Sequence, residues 1–314
     1  MKVLVIIVTY NGAVWLNTCL DSLRASTIPL DLVVVDNHST DNTLEILQGY
    51  PVAKLFDLQD NLGFGKANNM GMKYALDQHA DYVLLLNQDA YLRPDTVERL
   101  IEVSKRNPKY FVLSPLHLDG TEKKLDINFQ HYVSPQNCKD FLSDLALQAG
   151  NLRDVYDILF VNAAIWLLPI ACLELIGGFD PIFAHYGEDN DYIKRVRYHG
   201  YQVGICPKAF AIHDRPQRND FAGDAQEKQT LKKLKTDAMI KLKNVNAPLG
   251  QSIGKVYGKA LKGTVKSIFT LNLPGVSKQM KLLTFTTLNL AEIRRHRRIS
   301  EQPQGYKEWL DMQL

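Results

Sequence analysis

Three apolar runs, each ending in carboxylate or amide side chains, constrain this chain more than any other feature. Residues 3–8 (VLVIIV) lead into Thr9-Tyr10-Asn11-Gly12, residues 31–35 (DLVVV) into Asp36-Asn37-His38, and residues 82–86 (YVLLL) into Asn87-Gln88-Asp89. Aliphatic runs without polar alternation fit strands covered on both faces. Helical spacing fills the intervals. Val14, Trp15, Leu16, Leu20 and Leu23 follow the first run, Asp41 opens a helix through Leu44 and Leu47 after the second, and Arg93-Pro94-Asp95-Thr96 opens another after the third. Residues 52–57, 110–114 and 201–206 read as further strands. The alternation predicts an α/β unit with a largely parallel sheet. Open sheets of this kind bind ligands outside the carboxyl ends of their strands, which is where Asp36 and Asp89 fall.

Asn61, Gly63, Gly65 and Asn68 join those two acids as the makings of a polar pocket. Glycine allows close backbone approach, and asparagine both donates and accepts hydrogen bonds. No GxGxxG follows the first strand and no GxxxxGK[ST] occurs anywhere, so hydride transfer and P-loop phosphoryl transfer lose ground. A second cluster, Glu188-Asp189-Asn190-Asp191, follows the aromatic loop FDPIFAHYG. Two readings stand: anions at a helix start, or a carboxylate held to accept a proton from a hydroxyl compound. Phe183 and Tyr186 serve either as apolar surface for that acceptor or as core. His213, in CPKAFAIHDR, is either a buried side chain or, beside Asp89, part of a mixed N/O site for Mn²⁺ or Mg²⁺ that would stabilise a diphosphate leaving group.

Charge divides the chain unevenly. Residues 1–220 hold 20 Lys/Arg against 27 Asp/Glu, and residues 221–314 hold 17 against 7. A basic end on an acidic body needs an anionic counterpart. No nucleic-acid motif is present, so an anionic membrane surface met through residues 251–298 ranks ahead of the acidic body itself. Lys255, Lys259, Lys262 and Lys266 make one helical stripe, with Ile253, Tyr257, Leu261, Val265 and Ile268 on another face. The alternatives are that this apolar stripe packs on the catalytic domain with its lysines in water, or forms an oligomer contact. Arg294, Arg295, Arg297 and Arg298 add a short cluster. The four cysteines have no paired ligand spacing and suit a reducing compartment. Without a spanning segment or a signal sequence, the expected location is cytoplasmic, peripheral on the inner face of the membrane.

Taken in order, VVVDNHSTDNT (33–43), NLGFGKANNMG (61–71), LLLNQDA (84–90), IGGFDPIFAHYGEDNDYIKRVRYHG (176–200) and PKAFAIH (207–213) resemble the inverting family 2 glycosyltransferases. Within that family they look like the bacterial rhamnosyltransferase-like branch of cell-surface polysaccharide synthesis. The resemblance spans residues 1–215. It implies a GT-A fold, a Rossmann-like mixed sheet flanked by helices, with a helical C-terminal extension. The catalytic domain would be residues 1–220, divided into a nucleotide-sugar half (1–115) and an acceptor half (116–220), with a basic, mainly helical region at 221–314.

The implied donor is a nucleoside-diphosphate sugar (dTDP-rhamnose or a UDP-sugar), with a divalent cation, and the implied acceptor is a glycan or lipid-linked glycan. By this resemblance Thr9 and Asn11 line the nucleotide pocket, Asp36 reads a pyrimidine base, and Asn68 lies in the donor pocket with Asn61 and Gly63. The family's acidic triplet stands here as Asn87-Gln88-Asp89, which leaves Asp89 as principal metal ligand and Asn87 and Gln88 on the nucleotide-sugar side. Asp189 becomes the catalytic base, Glu188 its neighbour in acceptor positioning, and His213 meets the metal or the diphosphate. The poorly periodic stretch 116–158 is a candidate lid over the donor. A sugar nucleotidyltransferase would need a basic phosphate-gripping loop, and VTYNGAVWL has no lysine or arginine. A noncatalytic polysaccharide-binding protein of degenerate transferase fold would have no need of Asp36, Asp89, Asp189 and His213 together.

Overall fold

The computed structural model describes residues 1–147, 152–184, 186–214, 224–303 and 307–310. The expected domain border at residues 220 and 221 lies outside them. The first half runs β1 (Val3–Thr9), α1 (Ala13–Arg24), β2 (Asp31–Asp36), α2 (Thr43–Leu47), β3 (Lys54–Asp57), α3 (Phe64–Asp77), β4 (Tyr82–Asn87), β5 (Ala90–Leu92), α4 (Thr96–Arg106) and β6 (Tyr110–Leu118). Then come α5 (Ile127–Tyr132), α6 (Phe141–Leu147), β7 (Tyr156–Asp157), β8 (Ile165–Pro169), α7 (Ile170–Ile176), α8 (Glu188–Tyr198) and β9 (Gln202–His213). The helices α9 (Asp224–Lys243), α10 (Leu249–Phe269), α11 (Leu273–Leu288), α12 (Leu290–Glu301) and α13 (Lys307–Leu310) follow.

One sheet organises the molecule, in the order β3-β2-β1-β4-β8-β6-β9-β5, with β7 paired to β9. β1, β2, β3 and β4 run parallel, as the alternating pattern predicts. The sheet as a whole is mixed, however. β8 lies antiparallel between β4 and β6, and β5 and β7 pair antiparallel with β9. The apolar run at 161–168 carries no directional signal, so its reversed direction was not legible in advance. Two expected strands also run longer than their periodicity suggests. β6 continues through Pro115 by way of a register shift, and β9 continues to His213.

Residues of opposite parity along each strand go to opposite faces. Leu4, Ile6, Val83, Leu85, Trp166 and Leu168 join one core, with α3, α7 and α8 against it. Val3, Val5, Ile7, Leu84, Leu86, Ile165 and Leu167 join the other, under α1 and α4. Burial on both faces is why these strands read as unbroken apolar runs. The stretch beyond β6 is folded onto the first of these cores: Phe129, Val133, Cys138, Phe141, Tyr156 and Ile158 are buried in it.

A third, smaller core ties the C-terminal helices to the sheet domain. Ala238, Met239 and Leu242 of α9, Val256 and Ala260 of α10, Leu282 of α11 and Ile293 of α12 enclose Phe183. The last described element returns further still. Trp309 and Leu310 of α13 are buried in the first core, and a Cβ on Gly178 would come within 2.8 Å of Leu310 Cδ2. The basic region is therefore packed on the catalytic unit over much of its length. No helix among the described residues is long and apolar enough to cross a membrane.

Candidate active site

The acids at the end of β2 are explained by what they hold. β1 and β2 are in register with Thr9 opposite Asp36. Thr9 Oγ1 donates to Asp36 Oδ1 at 2.7 Å, while Ser39 donates its hydroxyl to Oδ1 at 2.6 Å and its N–H to Oδ2 at 2.8 Å. Asp36 is fully buried, and burying a carboxylate demands this degree of hydrogen bonding. Oδ2, with one such bond, keeps capacity to accept another. Asp41 works outward from the same turn, accepting from Ala13 N and Thr43 N, and these bonds hold its carboxyl below the usual range although partial burial opposes them. Asn11, at φ 48°, accepts from Thr40 N at 2.8 Å. The loops after β1 and β2 are thus laced into one wall.

Gln88 belongs to that wall as a clamp. Its Oε1 accepts from Tyr10 N at 2.9 Å and its Nε2 donates to Tyr10 O at 3.1 Å. A Cβ on Gly12 would lie 2.2 Å from Gln88 Oε1, so a larger residue there would push the Gln88 amide out of this clamp. The side chain expected to meet the nucleotide is instead spent on backbone. Asn68 is similarly engaged, donating to Phe64 O within α3 at 2.9 Å, and Asn61 accepts from Gly63 N at 2.9 Å in the turn before it.

The antiparallel placement of β8 brings the second acidic cluster to this edge. Asn87 N donates to Ala164 O at 2.8 Å, and the backbone of the adjoining Ala163 hydrogen-bonds the Asp189 carboxylate. Gly63, at φ 83°, sits so close to the loop before α8 that a Cβ would meet Ala184 O at 2.7 Å. A Cβ on Gly65 would be 3.7 Å from the Glu188 side chain. Asn69, which sequence reasoning did not single out, locks the same approach. It accepts from Phe179 N at 2.7 Å and donates to Phe179 O at 2.8 Å. Its signal was a second asparagine on an otherwise apolar helix face.

The three acids of the first turn of α8 divide into two roles. Asp191 is buried against Arg195, Nε to Oδ2 at 2.8 Å, and lies 3.6 Å from Lys243 Nζ. Glu188 and Asp189 form no ion pair among the described residues, although the Lys194 charge acts on Asp189 from a distance. Burial, followed by the neighbouring Asp189 charge, pushes Glu188 up to about 7, and burial pushes Asp189 up to about 6 against the hydrogen bonds from Asn190 and Ala163. Among the described residues Glu188 Oε2 and Asn162 Oδ1 are buried oxygens without a hydrogen-bond partner, a condition that a bound polar ligand relieves. Gly187 at the N-cap has no side chain to offer, and within the first turn Asp189 Oδ1 accepts from Asn190 N at 2.7 Å. Phe183 is corrected to core: it is 5% exposed and packed on α9, leaving Tyr186 as the exposed aromatic of the loop.

Asp89 and His213 meet at the rim where β5 pairs with β9. Asp214 N donates to Asp89 O at 2.8 Å, and His213 Nε2 lies 3.3 Å from Asp89 Oδ1. Two neighbouring ligands of one octahedral cation stand about 3 Å apart, so this oxygen and nitrogen fit a shared Mg²⁺ or Mn²⁺. Among the described residues no third histidine, cysteine or carboxylate joins them, so diphosphate oxygens and water would complete such a site.

The sequence profile of the family described as Glycosyl transferase family 2 matches residues 4–162. The chain is 33% identical over 227 residues to the O-antigen chain rhamnosyltransferase RfbN of Salmonella typhimurium, covering 68% of this chain and 66% of that protein. It is 30% identical over 229 residues to the N-acetylglucosaminyl-diphospho-decaprenol L-rhamnosyltransferase of Mycobacterium tuberculosis, covering 67% and 75%. Against two other curated relatives it spans only 47% and 59% of their length. The mannosyltransferase PcManGT from Pyrobaculum calidifontis, solved with GDP-Man and Mn²⁺, superposes with a TM-score of 0.55 at 17% identity over 99% of this chain and 83% of that one, which establishes the shared GT-A fold. The chain belongs to glycosyltransferase family 2.

Proposed function

We propose that this protein is an inverting glycosyltransferase. It moves a sugar from a nucleoside-diphosphate donor, dTDP-rhamnose or a UDP-sugar, to a hydroxyl of a glycan or lipid-linked glycan in cell-surface polysaccharide synthesis. The observation that carries this is the meeting of two unlike acid sites at one sheet edge. Asp36 is satisfied by three donors and keeps one acceptor position, whereas Glu188 and Asp189 form no ion pair among the described residues and are pushed toward neutral pH by burial. The names of the relatives support the choice of donor and acceptor class.

In this reading Asp36 Oδ2 accepts from the N–H of a pyrimidine base. Asp189 takes the proton of the acceptor hydroxyl as its oxygen attacks the anomeric carbon, and the nucleoside diphosphate departs from the opposite face, so configuration inverts. Glu188 Oε2 and Asn162 Oδ1 orient the acceptor by accepting its other hydroxyl hydrogens. Asp89 and His213 would hold a divalent cation, which supplies neutralising charge for the diphosphate. Tyr186 offers the acceptor an apolar face, whereas the described residues of the expected lid, 116–158, are anchored in the first core and are not assigned a closing motion. The protein works on the inner face of the membrane, where a lipid-linked acceptor is presented.

A screen of sugar nucleotides for binding and slow donor hydrolysis tests the function. Calorimetry with dTDP and UDP, each with and without Mn²⁺, tests the residues. Asp36→Ala should weaken nucleotide binding in both conditions, and Asp89→Asn only when the cation is present. Unchanged affinities in both variants would remove the nucleotide site from this edge.

A further inference from the structure

The lysine-rich hairpin formed by α10 and α11 carries its apolar residues where no core needs them. Ile253 and Tyr257 pack against the third core, but Leu261, Val265 and Ile268 on the same helix are half or more exposed. At the turn beyond them Phe269, Leu271 and Leu273 are 84%, 88% and 77% exposed. No other stretch of the described chain has as many large exposed apolar side chains so close together. Leu271 also stands at φ 51°, a left-handed conformation that a leucine adopts at a cost and that glycine or asparagine would adopt more easily. The turn thus keeps an apolar side chain at a position where the backbone disfavours one.

Charge indicates what covers this tip. Residues 238–291 contain no aspartate or glutamate, and α10 and α11 carry six lysines. At 1.5 Å per helical residue, Lys266 and Lys262 lie roughly 5 and 10 Å behind Phe269, and Lys278 roughly 8 Å behind Leu273. An apolar element resting on a bilayer is buried about 5–10 Å, so these ammonium groups would come to rest at the headgroups. Lys262 and Lys266, with Lys241 and Lys259, also line a cavity of about 300 Å³ over Val256 and Leu282, with Asp237 its one carboxylate.

We infer that the tip of the α10–α11 hairpin, residues 268–273, inserts into the acyl layer of an anionic phospholipid bilayer while the lysines behind it hold lipid phosphates. This deepens the membrane location proposed above and rests on it. The inserting element is the apolar turn rather than a lysine stripe lying flat.

Flotation of the full chain with vesicles of equimolar phosphatidylcholine and phosphatidylglycerol, against pure phosphatidylcholine, tests it. The triple variant Phe269→Ser/Leu271→Ser/Leu273→Ser should bind the anionic vesicles at least about 10-fold more weakly, because three exposed apolar side chains lose their burial. Lys262→Glu/Lys266→Glu/Lys278→Glu should lose the preference for anionic lipid and most of the salt sensitivity. Both variants should unfold at the wild-type temperature, since the altered side chains lie outside the cores. If the serine variant floats as well as wild type, the membrane location survives and tip insertion is overturned. If wild type does not float, both fall. Self-association that the serine variant abolishes, without vesicle binding, would make the tip a contact between copies of the chain and overturn the inference equally.

Discussion

Asp191 and the Glu188–Asp189 pair occupy the same first turn of α8, yet they have opposite surroundings. Asp191 faces Arg195, whose guanidinium also donates to Ile176 O and Gly178 O at 2.7 Å each, and Lys243, which is fully buried. Lys243 Nζ bridges onward to Asp180 Oδ2 at 2.7 Å and donates to Ser300 Oγ at 2.8 Å, and His296 Nδ1 closes on Asp180 Oδ1 at 2.6 Å. The hydrogen bond from His296 and the Lys243 charge hold Asp180 below the usual carboxylate range even though burial opposes them. Two and three residues before Asp191, burial acts on two carboxylates that form no ion pair among the described residues, and both rise. One end of the turn is an anchor, and the other is the acid–base group of the proposed reading. Desolvation is common to both, and the partner decides the outcome.

Breaking the anchor should have the largest effect. Lys243→Met leaves Asp180 and Asp191 buried without their shared cation, a loss of about 3–5 kcal/mol for a broken buried pair. Denaturant unfolding at neutral pH measures it. The loop carrying Asp180 also carries Phe183 and leads to Glu188, so residual activity should fall with the fold. Equal stability of Lys243→Met and wild type would mean that the C-terminal helices are not braced through this charge. Because Asp180 is depressed, its contribution is present above the unfolded carboxylate value and is lost as pH falls through the folded one.

None of that bracing was legible in the sequence. Lys243 lies among many lysines in a basic helix, and nothing in DAMIKLKNV distinguishes the buried one from its solvated neighbours. What was legible has local causes. Continuous apolar runs reported strands covered on both faces, and polar run ends reported the sheet edge at which those side chains gather. The bonding of the Gln88 amide to Tyr10 was not legible, because it depends on how the loops after β1 and β4 meet. Asn69, the direction of β8 and the Ala163–Ala164 bridge to Asp189 depend on which segments meet, and a single sequence carries no record of that. The apolar stripe of α10 was legible as a stripe, but its split into a part packed on the third core and an exposed part is set by tertiary packing.

Removing the poised group comes next in size. Asp189→Asn should keep donor binding and lower kcat by about 10²-fold or more, the usual range for loss of a positioned general base. The wild-type kcat/KM should fall as pH drops through about 6, because the base must be unprotonated; a pair this close titrates jointly, so the inflection belongs to Glu188 and Asp189 together. Asp191→Asn would test the contrast directly. It should lower stability while leaving that inflection in place. An unchanged pH profile in Asp189→Asn would return the cluster to a structural role.

The smallest effect sharpens the comparison through stability rather than rate. Glu188 is raised from 4.5 to about 7, so between those values the native state holds a proton that the unfolded chain has released. Unfolding free energy then decreases as pH rises across this window, and the full penalty is present above about 7. Glu188→Gln abolishes the titration while keeping the size and hydrogen-bonding capacity of the side chain. It should therefore raise Tm by a few degrees at pH 8, where the wild-type carboxylate is buried and charged, and leave it nearly unchanged at pH 5. Asp180→Asn should do the reverse, lowering Tm most at pH 8 and least in acid, where the native salt bridge is already failing. Parallel Tm curves for the two variants would mean that both carboxylates share one environment and that the contrast between the Asp180 anchor and the start of α8 is absent.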